Sequence, residues 1–360
     1  MNARRVRAVA RKELLHIIRD PRSLGMGIAI PILLLLLFGY ALTLDVDDVP
    51  FMVWDQSRTP ASRELVSRFE ASRYFSLVSH ATTYREIERS IDRREVLLAL
   101  VIPREYGRDR GARVQILADG SDANTAAIAI NYAEAILGNT ANAVMFPAEL
   151  RPRIWFNEEM ESRNYIVPGL IAVIMMVIAA LMTSLTIARE WETGTMEQLI
   201  STPLRGRELI AGKLLPYFGI GALDVVIAVL MGVVLFRVPL RGSPVLLVVS
   251  AGIFLVGALS MGILISIVTK AQLLASQLAM VTTFLPAFLL SGFMYDIGNM
   301  PKPVQVITHV VPARYFVALL KGIFLKGVGL EILAGQLALL GTFATVMVLV
   351  ANHKFVKKLD

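Results

Sequence analysis

The chain has 360 residues, 55% of them hydrophobic, and a mean hydropathy of +0.61, which is too apolar for a soluble globule with one buried core and fits a polytopic helical membrane protein. It has no cysteine, which excludes disulfides, zinc-thiolate sites and thiol nucleophiles, and its four histidines, His16, His80, His309 and His353, form no metal-ligand spacing. The net charge of +7 is uneven: residues 45–166 hold 15 Arg and no Lys against 19 acids, and much of the basic excess elsewhere flanks apolar runs, a positive-inside pattern rather than a nucleic-acid footprint.

Residues 2–20 read as a basic amphipathic helix lying on the membrane surface. Val6, Ala10, Leu14 and Ile17 form its apolar stripe, Val9 and Ile18 its edges, and Arg4, Arg5, Arg11, Lys12 and Arg19 its polar side. Glu13 falls inside the stripe and contradicts the pattern. Asp20-Pro21 breaks the helix, so 1–23 is taken as a cytoplasmic interface segment. The first span follows within 24–44. A basic start before an apolar run also fits a cleaved signal peptide, but no small-x-small site follows and seven basic residues precede the run, so an uncleaved anchor is expected.

Residues 45–165 are expected to fold as an extracytoplasmic α/β domain. Strands are predicted at 51–54, 75–78, 96–102 and 114–117, with helices over 60–72, 83–95 and 122–145. Pro60 suits a first helical position after Thr59, Thr83 with Glu86 has capping-box spacing, and Asp119-Gly120-Ser121-Asp122 makes a turn into the longest helix. No paired carboxylates, Ser/His/Asp set or phosphate loop stands out.

Residues 166–360 supply five more spans, near 167–187, 216–236, 245–268, 273–293 and 332–351, with a tight turn at Thr269-Lys270-Ala271-Gln272 and a break at Gly292. Between the last two spans, 294–329 carries Pro301, Pro303, Pro312, Gly322 and Gly327 among apolar residues. It reads as two short helices that dip into the outer leaflet and return. The basic N-terminus and the Lys-rich end place both termini in the cytoplasm.

The loop over 188–213 is a polar island between two apolar runs. Arg189, Glu190, Glu192, Glu197, Arg205, Arg207, Glu208 and Lys213 keep it out of hydrocarbon. Thr195 and Gln198 have capping-box spacing for a short helix, Pro203 stops it, and Met196, Leu199 and Ile200 form its apolar side opposite Glu197 and Gln198. Gly206 to Leu214 is a false echo of a phosphate loop, with five residues between its glycines and leucine where a magnesium ion needs a hydroxyl. Asp224 is the one acid near the middle of a span, and either lines a route between protomers or bonds a neighbouring helix.

Taken together, Arg189-Glu190-Trp191-Glu192-Thr193-Gly194-Thr195-Met196-Glu197-Gln198-Leu199, then Thr202-Pro203 and Gly212-Lys213-Leu214-Leu215-Pro216, resemble type-2 ABC exporter permeases of the subfamily with a large extracytoplasmic domain after the first span. Lys12-Glu13 through Arg19-Asp20-Pro21-Arg22 matches that family's interface helix. Ser291-Gly292-Phe293-Met294 with Met300-Pro301 matches its outer re-entrant segment, although Asp296 stands where relatives often have proline; Pro312 to Phe316, Asp119-Gly120-Ser121 and Asn164 to Gly169 also agree.

The resemblance implies an inner-membrane transport subunit of bacteria, not itself an enzyme and holding no cofactor. It would be paired with a second copy of itself or a paralogous permease, and driven by two copies of a cytoplasmic ATPase that bind Mg-ATP. The coupling residues it implies are Glu190, Glu192, Thr193, Gly194, Thr195, Glu197, Gln198, Leu199 and Pro203, with Lys12, Glu13, Arg19 and Asp20 on the interface helix. Asp224, Ser291, Gly292, Phe293 and Met294 are candidate pathway residues. The implied activity is efflux of drugs or other hydrophobic or amphipathic compounds, with membrane lipid, a periplasmic adaptor and an outer-membrane channel as further partners. Two rivals stay open: a mechanotransmission or scaffold protein driven by an ATPase without passing substrate, and a proton-coupled secondary transporter using Asp224.

Overall fold

A computed structural model describes residues 1–41, 48–93, 95–107, 112–119, 126, 128–137 and 161–355, and divides the chain into two compact units, Thr43–Glu158 and the remainder. Most of the expected turn at 119–122, and the expected helix outside 128–137 apart from residue 126, lie outside the described residues.

In the Thr43–Glu158 unit, β1 (Val49–Asp55), β2 (Phe75–His80), β3 (Leu98–Ile102) and β4 (Gln115–Ala118) form one sheet in the order β2-β1-β3-β4. β1 runs parallel to β2 and β3, and β4 is antiparallel to β3. The parallel pairs are joined through α3 (Pro60–Glu70) and α4 (Tyr84–Asp92), as parallel strands require. Alternation along β1 sends Val49, Phe51 and Val53 to a core shared with Leu65 and Phe69 of α3 and with Ala129 and Ala133 of α5 (Ile128–Leu137). Met52 goes to the opposite core with Ile87 of α4. Helices on both faces explain why β3 is buried at every position.

Thr59 caps α3 by accepting from Ser62 N–H, with Pro60 behind it. The capping box expected at Thr83 is displaced by one residue. Thr83 makes no side-chain cap, and the Glu86 carboxylate instead accepts from the Thr82 N–H at 2.7 Å and the Thr82 hydroxyl. These bonds, the backbone one foremost, hold the Glu86 carboxyl below its usual range.

In the other unit, α1 (Ala3–Arg19) and α2 (Pro21–Ala41) are separated only by Asp20. Among the described residues, five helices are long and apolar enough to cross a bilayer: α6 (Ser162–Glu192), α8 (Gly206–Leu230, continued by a π-turn to Leu235), α9 (Pro244–Thr269), α10 (Gln272–Leu290) and α13 (Leu330–Lys354). α2 overlaps the expected first span over 24–41, with Gly27–Ala41 as its apolar part, and 42–44 lie outside the described residues. The expected turn at Lys270 is present, with φ +54° at that residue, and the chain breaks at Gly292 with φ +78°. Over 294–329 come α11 (Lys302–Thr308) and α12 (Pro312–Lys321), bent by 86° from each other.

The core helix is α6, buried without interruption from Ile166 to Ala180, with α2, α8, α9, α10 and α12 all packed on it. A helix apolar on every side belongs inside a bundle. Where α9 crosses it, Gly262 leaves no room for a side chain: a Cβ there would stand 2.1 Å from Thr183 Oγ1 and 2.3 Å from the Ala180 carbonyl. Thr183 Oγ1 donates across this contact to the Leu259 carbonyl at 2.9 Å. Gly262→Ala is therefore expected to destabilise the bundle by about 1–3 kcal/mol through overpacking, seen as a lower thermal midpoint in detergent. Gly341→Ala, which meets open space, should leave the midpoint unchanged or raise it.

Candidate functional site

The polar island does not simply project into water. Lys213, near the start of α8, is 1% exposed, and its ammonium donates to Glu13 Oε1 of α1 at 2.7 Å and to Glu190 Oε1 of α6 at 2.9 Å. Lys12 adds a second cation to Glu190 Oε1 at 2.6 Å from a half-exposed side chain. Three helices meet at this cluster. It also explains the misfit on α1: the buried face of that helix is Val9, Ala10, Glu13 and Ile17, while Leu14, expected in the stripe, is 44% exposed. The helix is rotated so that Glu13 reaches Lys213, because an isolated buried ammonium costs far more than one exposed leucine.

Neighbouring contacts fasten the same end. Glu208, 2% exposed, accepts from the Asn2 N–H at 2.7 Å and the Arg205 N–H at 3.1 Å. Glu192 accepts from the Gln272 N–H at 2.7 Å, joining the end of α6 to the start of α10. Arg189 lies 2.8 Å from His16 Nε2 and 3.8 Å from Asp20. Ser266 Oγ accepts from the Ile187 and Ala188 N–H groups at 3.0 and 2.8 Å.

From this block the chain turns into α7 (Thr195–Ser201). The expected capping box at Thr195 and Gln198 is absent. Gly194, at φ +73°, is the cap residue and Thr195 opens the helix, its hydroxyl 3.1 Å from that of Thr193. A left-handed residue is needed to reverse the chain between α6 and α7, and glycine meets that need without strain. Met196 is fully buried with Ile187, Ile210, Ile263 and Ala351, and Leu199 and Ile200 pack beside it. Glu197, Gln198, Ser201 and Pro203 face outward. Of the residues expected to contact a partner, then, Glu190 and Leu199 face the protein, Glu192, though exposed, is tied to α10, and Thr193, Gly194, Glu197, Gln198 and Pro203 are on the surface.

Beside the block is a cavity of about 390 Å³ between α1, α2, α6 and α8. Its charged wall includes Lys12, Glu13, Arg189 and Glu190. Gly27, Ile30, Ile178 and Met182 make its apolar wall.

Residues 21–351 match the family model described as ABC-2 family transporter protein. The chain belongs to the ABC-2 transporter family. It is 36% identical over 340 residues to the probable multidrug ABC transporter permease YbhS of Escherichia coli K12, covering 90% of this chain and 89% of that protein. It is 30% identical over 346 residues to the probable multidrug ABC transporter permease YbhR, covering 92% and 93%. To the inner membrane transport permease YhhJ of the same strain it is 25% identical over 322 residues, covering 83% and 84%.

Members of the ABC-2 family are type-2 permeases, membrane-embedded subunits without an ATPase site of their own. The glycines of the false phosphate loop agree with this, since Gly206 to Leu214 is the first part of α8 and offers no loop to wrap a phosphate. The other expected site residues of this ABC-2 permease lie elsewhere. Ser291 and Phe293 are buried, Phe293 over Gly169, where a Cβ would stand 2.4 Å from the ring. Met294 is exposed. The Gly292 carbonyl accepts from Tyr165 at 3.3 Å and from Lys321 Nζ at 2.9 Å, and that ammonium sits 3.3 Å from the Tyr165 ring centroid. Asp224, 3% exposed, has both oxygens without a hydrogen bond among the described residues, so the bond to a neighbouring helix is not made.

Sequence reasoning named Lys213 and Glu208 among the charges of the polar island but gave neither a site role. The signal for Lys213 was the misplaced Glu13, an acid in an apolar stripe that needed a cation. Lys213→Met should cost about 3–5 kcal/mol, because it takes the close cation from buried Glu13 and leaves buried Glu190 with the half-exposed Lys12 alone. Adding Glu13→Gln and Glu190→Gln to it should recover much of that loss, which thermal unfolding of the parent, the single variant and the triple variant would measure.

Proposed function

We propose that the chain is the translocation subunit of an ATP-driven exporter in the bacterial inner membrane. It works as a dimer with a second copy or a paralogous permease, and is powered by two copies of a cytoplasmic ABC ATPase that hold Mg-ATP. α2 completes six spans, both termini are cytoplasmic, and the α/β unit is extracytoplasmic, where it docks a periplasmic adaptor leading to an outer-membrane channel. The cargo is a drug or another hydrophobic or amphipathic compound. The likeness to YbhS and YbhR, probable multidrug permeases, supports that class.

The observation that carries this reading is the union of an outward polar edge on α7 with a rigid charged block directly behind it. Glu197, Gln198 and Pro203 are the docking edge, seated in the ATPase. Motion of the ATPases pushes α7, and the Lys213 cluster passes the push to α1, α6 and α8 together rather than letting one helix slide past another.

Co-expressed with the ATPase chain, Glu197→Lys combined with Gln198→Lys is expected to weaken co-purification about tenfold or more, the loss of roughly 1.4 kcal/mol at an interface. Substrate-stimulated hydrolysis should fall with it, while thermal unfolding of the isolated chain stays unchanged. Intact assembly and efflux in this variant would remove α7 as the docking element. Asp224→Asn should preserve transport that depends on ATP. Transport lost in this variant, and abolished in the parent by an uncoupler but not by ATP depletion, would point to proton coupling instead.

A further inference from the structure

The charge balance around the cavity is incomplete without one exposed side chain. α1 and α6 bring two buried carboxylates, Glu13 and Glu190, at 4% and 6% exposure, against one buried cation, Lys213. Those three groups sum to one negative charge. The balancing cation is Lys12, whose side chain is 50% exposed and whose ammonium sits 2.6 Å from Glu190 Oε1, with both residues on the cavity wall. The second oxygen, Glu190 Oε2, is buried with no hydrogen bond among the described residues. Tyr217, 8% exposed, also lines the cavity and makes no hydrogen bond among them. Deeper along α6 the wall turns apolar at Ile178, Leu181, Met182 and Leu185, faced by Gly27 and Ile30 of α2.

We propose that this cavity binds an amphiphile with a protonated amine, whose ammonium displaces Lys12 from Glu190 while its apolar body lies against Ile178, Met182 and Ile30. Lys12 is a tethered placeholder. It is the exchangeable partner because its side chain is half in solvent, whereas Lys213 is enclosed and holds both carboxylates. The volume of about 390 Å³ lies at the small end of drug-sized sites, and suits a compact amine better than a two-chain lipid. The Tyr217 hydroxyl supplies a further polar contact. Thr193 and Thr195, which lead into α7, line the same cavity, so occupancy is felt where the coupling element begins. This deepens the proposed function by naming a cargo class and a holding site, and its significance for transport rests on that reading.

The test uses the full chain in phosphatidylcholine nanodiscs, without any ATPase, and tritiated monodansylcadaverine as probe, with its neutral N-acetyl derivative as comparison and empty nanodiscs as background. The free amine should bind about tenfold more tightly than the acetylated compound, a difference of roughly 1.4 kcal/mol. Lys12→Gln, on an exposed side chain, should tighten amine binding several-fold by vacating Glu190. Met182→Trp, which fills the apolar end, should abolish binding of both compounds, and Glu190→Gln should erase the preference for the amine. Equal binding of the two compounds, or no gain in Lys12→Gln, would overturn the proposal even if Glu190→Gln proves unstable. Loss of probe binding when phosphatidylethanolamine replaces phosphatidylcholine would assign the ammonium to a bilayer lipid and overturn the cargo reading. Absent binding alongside uncoupling by the Glu197 and Gln198 changes would sink this inference alone, and intact binding without that uncoupling would sink the proposed function alone.

Discussion

A lysine ammonium enclosed by protein has to be paired. Lys213 is 1% exposed at the start of a helix whose next turns are apolar, and it is paired twice, with carboxylates from two other helices. Because a buried charge without its partners is so costly, the angle of α1, the end of α6 and the start of α8 are fixed with respect to one another. The remaining inner contacts extend that fixed block. Glu208 holds the first residues of the chain, Glu192 holds the start of α10, and Ser266 of α9 accepts from two N–H groups of α6. A short helix that buries Met196 in the same place, as α7 does, is seated on a rigid base and not on a flexible loop.

The bundle behind the block is tight for a different reason. Helices approach closely in membranes where small residues replace large ones, and α6 is approached this way at two points along its length. Gly262 of α9 fits against Ala180 and Thr183, and Phe293 fits over Gly169. These contacts leave no slack for α6 to move alone. Exposed apolar side chains are found instead on α10 and α13, where Leu273, Leu274, Val281, Ile332 and Leu349 lie on the surface of the single chain, as expected of helices that face lipid or another subunit.

The five spans after the first and the strands were legible because hydropathy and alternation are local properties. The turn at Lys270, the break at Gly292 and the cap at Thr59 were legible for the same reason, each depending on residues adjacent in sequence. The failures share one cause. The capping spacing at Thr195 and at Thr83 was real, but the position of a cap depends on how the preceding chain arrives. At α7 that is set by the reversal at Gly194, and at α4 the Thr82 backbone reaches Glu86 first. The stripe of α1 was misplaced by a partner 200 residues away. Glu190 was read as a surface group because its sequence neighbours are polar, although two lysines, from α1 and α8, enclose it. Charge density in a sequence tells that a segment cannot sit in hydrocarbon, not whether it meets water or its own counter-ions.

Both ends of α6 are pinned by charge, and this gives the helix a particular mechanical character. At one end Glu190 carries two lysines. At the other Tyr165 shares the Gly292 carbonyl with Lys321 and lies under that ammonium. Between these points run 24 residues of continuous helix, close to 36 Å at 1.5 Å per residue, so the pins stand about a bilayer's thickness apart. A helix held this way transmits displacement along its length, since shortening or bending it would require breaking its own hydrogen bonds inside an apolar core. The weaker element is the far pin, made of one carbonyl, one phenol and one lysine, whereas the near pin joins Glu190 to an enclosed Lys213 and a half-exposed Lys12. That far pin lies at the Gly292 break, where the backbone is left-handed and α10 has ended. Under the proposed function, a push on α7 would therefore have a route along α6 to the opposite end of the bundle that involves neither the cavity nor Asp224.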